Sequence, residues 1–341
     1  MMRIPSWCKP ALNTTTVLPG DIVINISNGG VSAVVRRVIG GFYLVVPKYV
    51  FGQGPWRFLG ESLERLLSSY APGEVYRAAR RSGFLSYVAQ YGRDVPLISV
   101  GPCERNVIVC SGKLFADMFY RIRGLDYLEV WIEAVSELRD LVGSGVIECL
   151  RPTGSLLMGS FMEFSDIDVV FDIASPWCYE RLIELVEAAE EKRVPVGERF
   201  LSEEYVLHEA SSRHIPLGVA RRVLRPWTRL RLAGREASIS VLDSQRRTEE
   251  ERRVWIITSE VTETRVSVEP YDARLGDFPG IVETKEGYIV VFDGFYVPAL
   301  FEGGRFRVRG LKARIVLGGG DSVDAIAVGV AEASTFVEPL S

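Results

Sequence analysis

The chain has 341 residues, 47% of them hydrophobic and 25% charged, and a formal net charge of −4. That length exceeds one small domain, and the apolar share supplies a sizeable core, which argues against global disorder. The slight acidity excludes a wholesale nucleic-acid coat while leaving room for a local basic patch. The cations are lopsided, with six lysines (Lys9, Lys48, Lys113, Lys192, Lys285, Lys312) against 34 arginines. Genome composition explains that bias, and so does the suitability of guanidinium for bidentate phosphate contacts.

The first region, 1–120, opens with β-type text: "GDIVINI", "GGVSAVVRRVIGG" and "FYLVVPKYV" are short β-branched runs punctuated by glycine. "ESLERLLSSY" and "PGEVYRAARRSGFLSYVAQYG" read as helices, and "VPLISV" and "RNVIVCSG" as further strands. The second region, 121–258, alternates helices and strands. Leu128, Trp131, Val135, Leu138 and Val142 recur at three- and four-residue intervals, which predicts an amphipathic helix over 126–142. "VIECL" (146–150) reads as a strand, and Ser175-Pro176 as the cap and first turn of a helix with Tyr179, Leu182, Ile183 and Val186 inward. "WTRLRL" and "EASISVLD" read as a hairpin around Ala233-Gly234-Arg235. The third region, 262–341, is almost all β, with "FYVPALFEGG" among its strands, and suggests a small barrel or sandwich. Glycines 318–320 read as a turn.

Five cysteines (Cys8, Cys103, Cys110, Cys149, Cys178) without C-x-x-C spacing fit a reducing cytosol. Cys103 and Cys110 are the pair that a hairpin could bring together. His208 and His214 lack zinc-ligand spacing and read as surface residues. No apolar run reaches the ~18 residues of a membrane span. The opening "MMRIPSWCKP" lacks the apolar stretch expected of a signal peptide. A cytoplasmic protein without a membrane partner is expected.

The stretch "GSLLMGSFMEFSDIDVVFD", 154–172, carries the chemistry. Alternation on a strand puts Asp166 and Asp168 on one face, about 6.6 Å apart at the backbone, close enough to bridge cations. Asp172 shares their parity but lies ~13 Å further on. Acid and apolar residues also alternate on half-buried strands without function. Here, however, Gly154-Ser155 at a helix start offers unobstructed N–H groups, a hydroxyl and a helix dipole suited to phosphates. Carboxylates opposite could hold Mg²⁺ between protein and phosphates.

Gly154-Ser155, Gly159 and Ser165-Asp166-Ile167-Asp168, spaced G-S-x3-G-x5-S-D-x-D, resemble the DNA polymerase β-like nucleotidyltransferase superfamily. The resemblance implies a small mixed sheet with helices on one face; with the β-rich N- and C-terminal regions read above, an α+β protein with a central domain of this kind is expected. The resemblance also implies a nucleoside triphosphate donor on Gly154, Ser155 and Ser165. Two Mg²⁺ ions on Asp166 and Asp168 would activate an acceptor hydroxyl and stabilise in-line attack at the α-phosphorus. A third carboxylate should come from "EASISVLD", where serines occupy mid-strand; Asp243 is the candidate and Glu236 the reserve. An intact Gly-Ser and D-x-D favour an enzyme, whereas a missing third acid favours a nucleotide- or RNA-binding module. The Arg-rich stretch 213–235 is either a solvated face balanced by glutamates or a rim for triphosphate or RNA. Residues 246–253, where arginines alternate with glutamates, read as a solvated helix.

Overall fold

The computed structural model describes residues 5–11, 17–37, 42–88, 93–100, 106–118, 126–245, 254–316 and 321–340. They divide into two compact units. The first comprises Met1–Ser68, Leu97–Phe200 and Pro226–Ser244; the second comprises Ser69–Pro96, Leu201–Arg225 and Gln245–Ser341. Each mixes helices and strands, so the α+β class holds. The units cut the chain differently from the three consecutive regions expected, and the first joins the N-terminal strands to the acidic stretch.

Strands β1 (Cys8–Pro10), β2 (Ile22–Asn25), β3 (Gly30–Arg37), β4 (Phe42–Phe58) and β5 (Glu61–Arg65) come first. Helix α1 (Pro72–Arg81), β6 (Leu85–Val88), β7 (Arg93–Ser99), β8 (Val107–Cys110) and α2 (Gly112–Met118) follow. In the first unit the sheet order is β1-β8-β2-β3-β4 with β5 on β4, every neighbour antiparallel. The helix expected from "ESLERLLSSY" is instead β5. Leu59 (φ 53°) and Gly60 (φ 90°) turn the chain back on β4, a two-residue hairpin with positive φ at both positions, and Leu63 is fully buried. Ladder pairing overrides the local leucine periodicity. In the second unit α1 stands where its sequence puts it but stops at Gly83 (φ 70°), so "LSYV" pairs as β6 with β7 rather than extending the helix.

Helix α3 (Asp126–Val142) buries Leu128, Trp131, Val135, Leu138 and Val142, the face its spacing predicts. The strand expected over "VIECL" is a 3₁₀ turn at Ser144–Cys149; Val146 and Cys149, three residues apart, are both buried, which suits that tighter period. Next come β9 (Leu150–Pro152), α4 (Gly154–Met158), β10 (Ile167–Asp172) and α5 (Pro176–Glu190). The Ser175 hydroxyl caps α5, accepting from the Cys178 N–H at 3.1 Å. Helices α6 (Glu203–Arg213) and α7 (Leu217–Val223) belong to the second unit. Strands β11 (Arg229–Leu232) and β12 (Arg235–Leu242) return to the first as the expected hairpin, turning through Ala233 (φ 50°) and Gly234 (φ 67°). These strands form a mixed sheet ordered β11-β12-β10-β9, in which only β10 and β12 run parallel. The N-terminal sheet is tied to it directly. Trp7 Nε1–H donates to the Leu157 carbonyl and the Thr153 hydroxyl to the Gly20 carbonyl, each at 2.7 Å.

The rest of the second unit holds β13 (Val254–Val268), β14 (Gly280–Thr284), β15 (Gly287–Val291), α8 (Val297–Glu302), β16 (Gly304–Val316), β17 (Ser322–Val328) and β18 (Phe336–Pro339). The strands form one six-stranded sheet, ordered β13-β16-β17-β15-β14 with β18 on β16. Among the described residues the pairing does not close on itself, so the strands expected as a small barrel or sandwich belong to one open-ordered sheet. "FYVPALFEGG" is the short helix α8 rather than a strand: Pro298 sits in its first turn, Ala299, Leu300 and Phe301 are buried, and Gly303 (φ 74°) ends it. The expectations for 246–253 and for glycines 318–320 lie outside the described residues.

Two disulfides correct the reading of the cysteines. Cys8 is bonded to Cys110 and Cys149 to Cys178. Cys110 therefore does not pair with Cys103, which lies outside the described residues. The first bridge joins residues 102 apart and directly opposed on β1 and β8, a partnership invisible to sequence spacing. The reducing-cytosol reading loses its support, since stable disulfides mark oxidising compartments and the interiors of some hyperthermophiles. Among the described residues no helix is long and apolar enough to cross a membrane.

Asp21, fully buried, accepts the N–H groups of Leu18 and Gly112, both at 2.9 Å. Burial pushes its carboxyl up to about 6, against those hydrogen bonds and the field of Arg151. The folded value lies above the unfolded one. The native protein therefore holds an extra proton between roughly pH 4 and 6, and Asp21's contribution to stability rises as pH falls through that window. In parallel melts from pH 7 to about 4.5, the wild type should gain about 2 kcal/mol relative to Asp21→Asn. A pH-independent difference would show that this carboxyl does not titrate there.

Candidate functional site

Strand β9 delivers Thr153 and Gly154 to the sheet edge. Gly154 has φ +63°, and a Cβ on it would lie 2.1 Å from Asp168 Oδ2. Both the backbone angle and the close approach demand glycine. Ser155 is buried, and its carbonyl accepts the Ser160 N–H at 2.9 Å and the Ser160 hydroxyl at 3.3 Å. Gly159 (φ 70°) closes the turn. Helix α4 has five residues. That is too short for a dipole argument, so any phosphate contact rests on the N–H groups of Gly154-Ser155 and the Ser155 hydroxyl. Ser165, expected to touch the nucleotide, holds a local turn. Its Oγ accepts the Met162 N–H at 3.0 Å, while its own N–H donates to the Met162 carbonyl at 2.9 Å. That turn sets the entry of Asp166 into β10.

Asp166 immediately precedes β10 and Asp168 lies on it, with side chains 47% and 30% exposed. Partial burial raises the Asp166 carboxyl above its ordinary value, and the neighbouring Asp168 raises it further. Asp168 Oδ1 accepts the Ser238 hydroxyl at 2.6 Å, and Oδ2 lies 3.9 Å from Lys48 Nζ. An Arg199 guanidinium nitrogen is 3.9 Å from Asp166 Oδ2.

The structure does not bring Asp243, the expected third carboxylate, to the acidic pair. In the parallel register of β10 and β12, Asp168 pairs with Ser238 and Asp172 with Leu242. Asp243 follows Leu242, so it sits about 16 Å along the strand from Ser238, at the far end from the acidic pair. Glu236 lies one step before the Ile167–Ala237 pair, level with Asp166, and its charge raises the Asp166 carboxyl further. Its own carboxylate accepts the Arg199 N–H at 3.2 Å. The position facing Asp168 is occupied by Ser238, as the mid-strand serines foreshadow. Among the described residues no group of three or more His, Cys, Asp and Glu is gathered to hold a metal ion. Asp166 and Asp168 nevertheless fit Mg²⁺, which needs one or two carboxylates when phosphate oxygens supply other ligands.

Sequence reasoning missed Lys48. In the β3–β4 ladder Val31 pairs with Tyr49 and Ser32 with Pro47, which leaves Lys48 as the extra residue of a bulge. Bulges re-aim side chains, and here the result is a lysine 8% exposed and directed to Asp168. The signal was present: one of only six lysines interrupts the apolar run "FYLVVPKYV". The Arg-rich stretch 213–235 is divided between the units. Arg213 pairs with Glu209 and Asp293, Arg221 with Glu203, Arg222 with Glu338, Arg225 with Glu302, and Arg231 with Glu198. Balance by acids accounts for these five. Arg229 lies opposite Ser238 on β11, and its charge lowers the Asp166 carboxyl. Arg235 stacks over Phe161. His208 and His214 are exposed. The chain matches no protein-family model, and it shows no significant similarity to any curated protein or solved structure.

Proposed function

We propose that the chain is a Mg²⁺-dependent nucleotidyltransferase that moves a nucleoside monophosphate from an NTP to a hydroxyl acceptor and releases pyrophosphate. The observation that carries the reading is the packing of Gly154 against Asp168, which sets a bare backbone beside a carboxylate pair. Gly154 and Ser155 would bind the β- and γ-phosphates through N–H groups and a hydroxyl. Asp166 and Asp168 would hold Mg²⁺, which when bound neutralises phosphate charge and lowers the pKa of the acceptor hydroxyl. Ser238 fixes Asp168 by its 2.6 Å hydrogen bond, and Arg199 offsets the charge of Asp166. The acceptor oxygen bonds to the α-phosphorus, the bond from that phosphorus to the bridging oxygen breaks, and the hydroxyl proton leaves to solvent.

A second reading rests on Ser238. A hydroxyl facing Asp168, where the superfamily resemblance calls for an acid, favours a nucleotide- or RNA-binding module with impaired turnover. The acceptor class, RNA included, belongs to the same test. Thermal-shift titrations with each of the four NTPs, with and without Mg²⁺, should give a stabilisation that needs both components. Turnover of α-labelled NTP, with an RNA pool or small alcohols as acceptor, then separates the two readings. No shift with any pair would remove the nucleotide from both.

A further inference from the structure

Two irregularities in one strand point the same residues at the same place. The first is the bulge that turns Lys48 toward Asp168. The second lies further along β4, where Phe51 and Trp56 both face Leu63 of β5 and residues 52–55 leave the ladder. Trp56 then packs on Tyr49 (ring centroids 5.3 Å apart) and edge-on to Phe164 (5.7 Å). Phe164 is 58% exposed, unusual for a large apolar ring, and stands two residues before Asp166. By chain length its Cα is at most about 7.6 Å from that of Asp166.

We infer that β4 and the turn before Asp166 form the nucleoside-holding wall of the site, with Trp56 and Phe164 stacking the base and Lys48 contacting the phosphates. This rests on the nucleotidyltransferase reading and adds the donor's mode of recognition. An edge-on pair leaves ring faces for a base, and base–aromatic stacking is strong and tolerant of base identity. A base held at Phe164 would lie against the segment that leads directly into the carboxylates. Lys48, at 3.9 Å, is ion-paired with Asp168 without a direct hydrogen bond between them. Phosphates brought to Asp168 present oxygens to that ammonium. The ligand class is therefore a nucleoside triphosphate recognised by ring stacking and phosphate charge.

Two probes separate the ends of the ligand: ATP with Mg²⁺, and inorganic tripolyphosphate with Mg²⁺, titrated calorimetrically against the full chain. Phe164→Ala and Trp56→Ala should each weaken ATP binding about tenfold and leave tripolyphosphate within about twofold of wild type. Lys48→Met should weaken both probes. Phe164→Ala removes a mostly exposed ring, so its fold is retained and its result stands even if Trp56→Ala destabilises the ribbon. ATP affinity unchanged in Phe164→Ala, or lost in parallel with tripolyphosphate affinity, would overturn the stacking role. Unchanged binding of both probes by Lys48→Met would overturn the phosphate role. Wild-type protein that binds tripolyphosphate no more weakly than ATP would also count against the wall. Wild-type protein that binds neither probe would remove the nucleotidyltransferase reading, and the wall with it.

Discussion

Replacing Arg213 by methionine is expected to destabilise the second unit by about 3–5 kcal/mol, the scale for breaking a buried ion pair from one side. Arg213 lies on α6 with a side chain 5% exposed; its Nε donates to Asp293 Oδ2 at 2.7 Å, and its guanidinium also pairs with Glu209. Asp293 is itself 3% exposed. Burial works against the charge of Arg213, but Asp293 and Glu209 more than offset it and hold the guanidinium firmly protonated. Phe295 stacks under the same guanidinium at 4.2 Å, and the adjacent Tyr296 hydroxyl donates to the Thr335 carbonyl at 2.9 Å. Methionine fills much of the same volume, so the loss is chiefly electrostatic: two buried carboxylates keep their desolvation cost without their counterion. For a unit of this size the melting temperature should fall by roughly 10 °C. Adding Asp293→Asn should recover part of the loss. A fall of less than about 3 °C would mean that water reaches the carboxylates and that the triad is no anchor.

Asp168→Asn should show the opposite pattern, with function lost and fold kept. The substitution preserves shape and leaves an oxygen to accept from Ser238, while removing the charge that holds a cation. Mg²⁺-dependent nucleotide binding and turnover should fall at least ~100-fold, and stability should change by no more than about 1 kcal/mol, since the side chain is 30% exposed. Asp166→Asn should follow it. Asp243→Asn, at the far end of β12, should leave both quantities unchanged and so serves as the control that the register provides. Full turnover in Asp168→Asn would defeat the metal site. A loss in Asp243→Asn comparable with that in Asp168→Asn would reinstate it as the third carboxylate.

These two sites differ in how far the linear chain reveals them. Gly154, Ser155, Asp166 and Asp168 lie within 15 residues, and their placement follows from local rules: alternation along a strand, and a glycine where the backbone must approach another group. Arg213 looks in sequence like any member of an arginine cluster, because its partner Asp293 is 80 residues away. The same limit explains Asp243. Strand parity narrows the choice on β12, but only the register with β10 says which residue faces Asp168, and register is a property of two strands.

What the sequence determined by itself is whatever short-range chemistry dictates. Helix α3 follows from its apolar period, the start of α5 from Ser175 and Pro176, the β11–β12 turn from Ala233-Gly234, and the alternation of β10 from its own residues. Tertiary structure decided the rest. It made β5 a strand despite its leucine spacing, shaped α8 where a strand was expected, and joined Cys8 to Cys110 across 102 residues. It also brought Lys48 from the N-terminal sheet to Asp168 on the acidic strand, and Trp56 to Phe164 in the turn before it. The physical reason is common to all of these. Pairing and burial energies depend on neighbours distant in the chain, and they exceed the fractions of a kcal/mol by which local propensities differ.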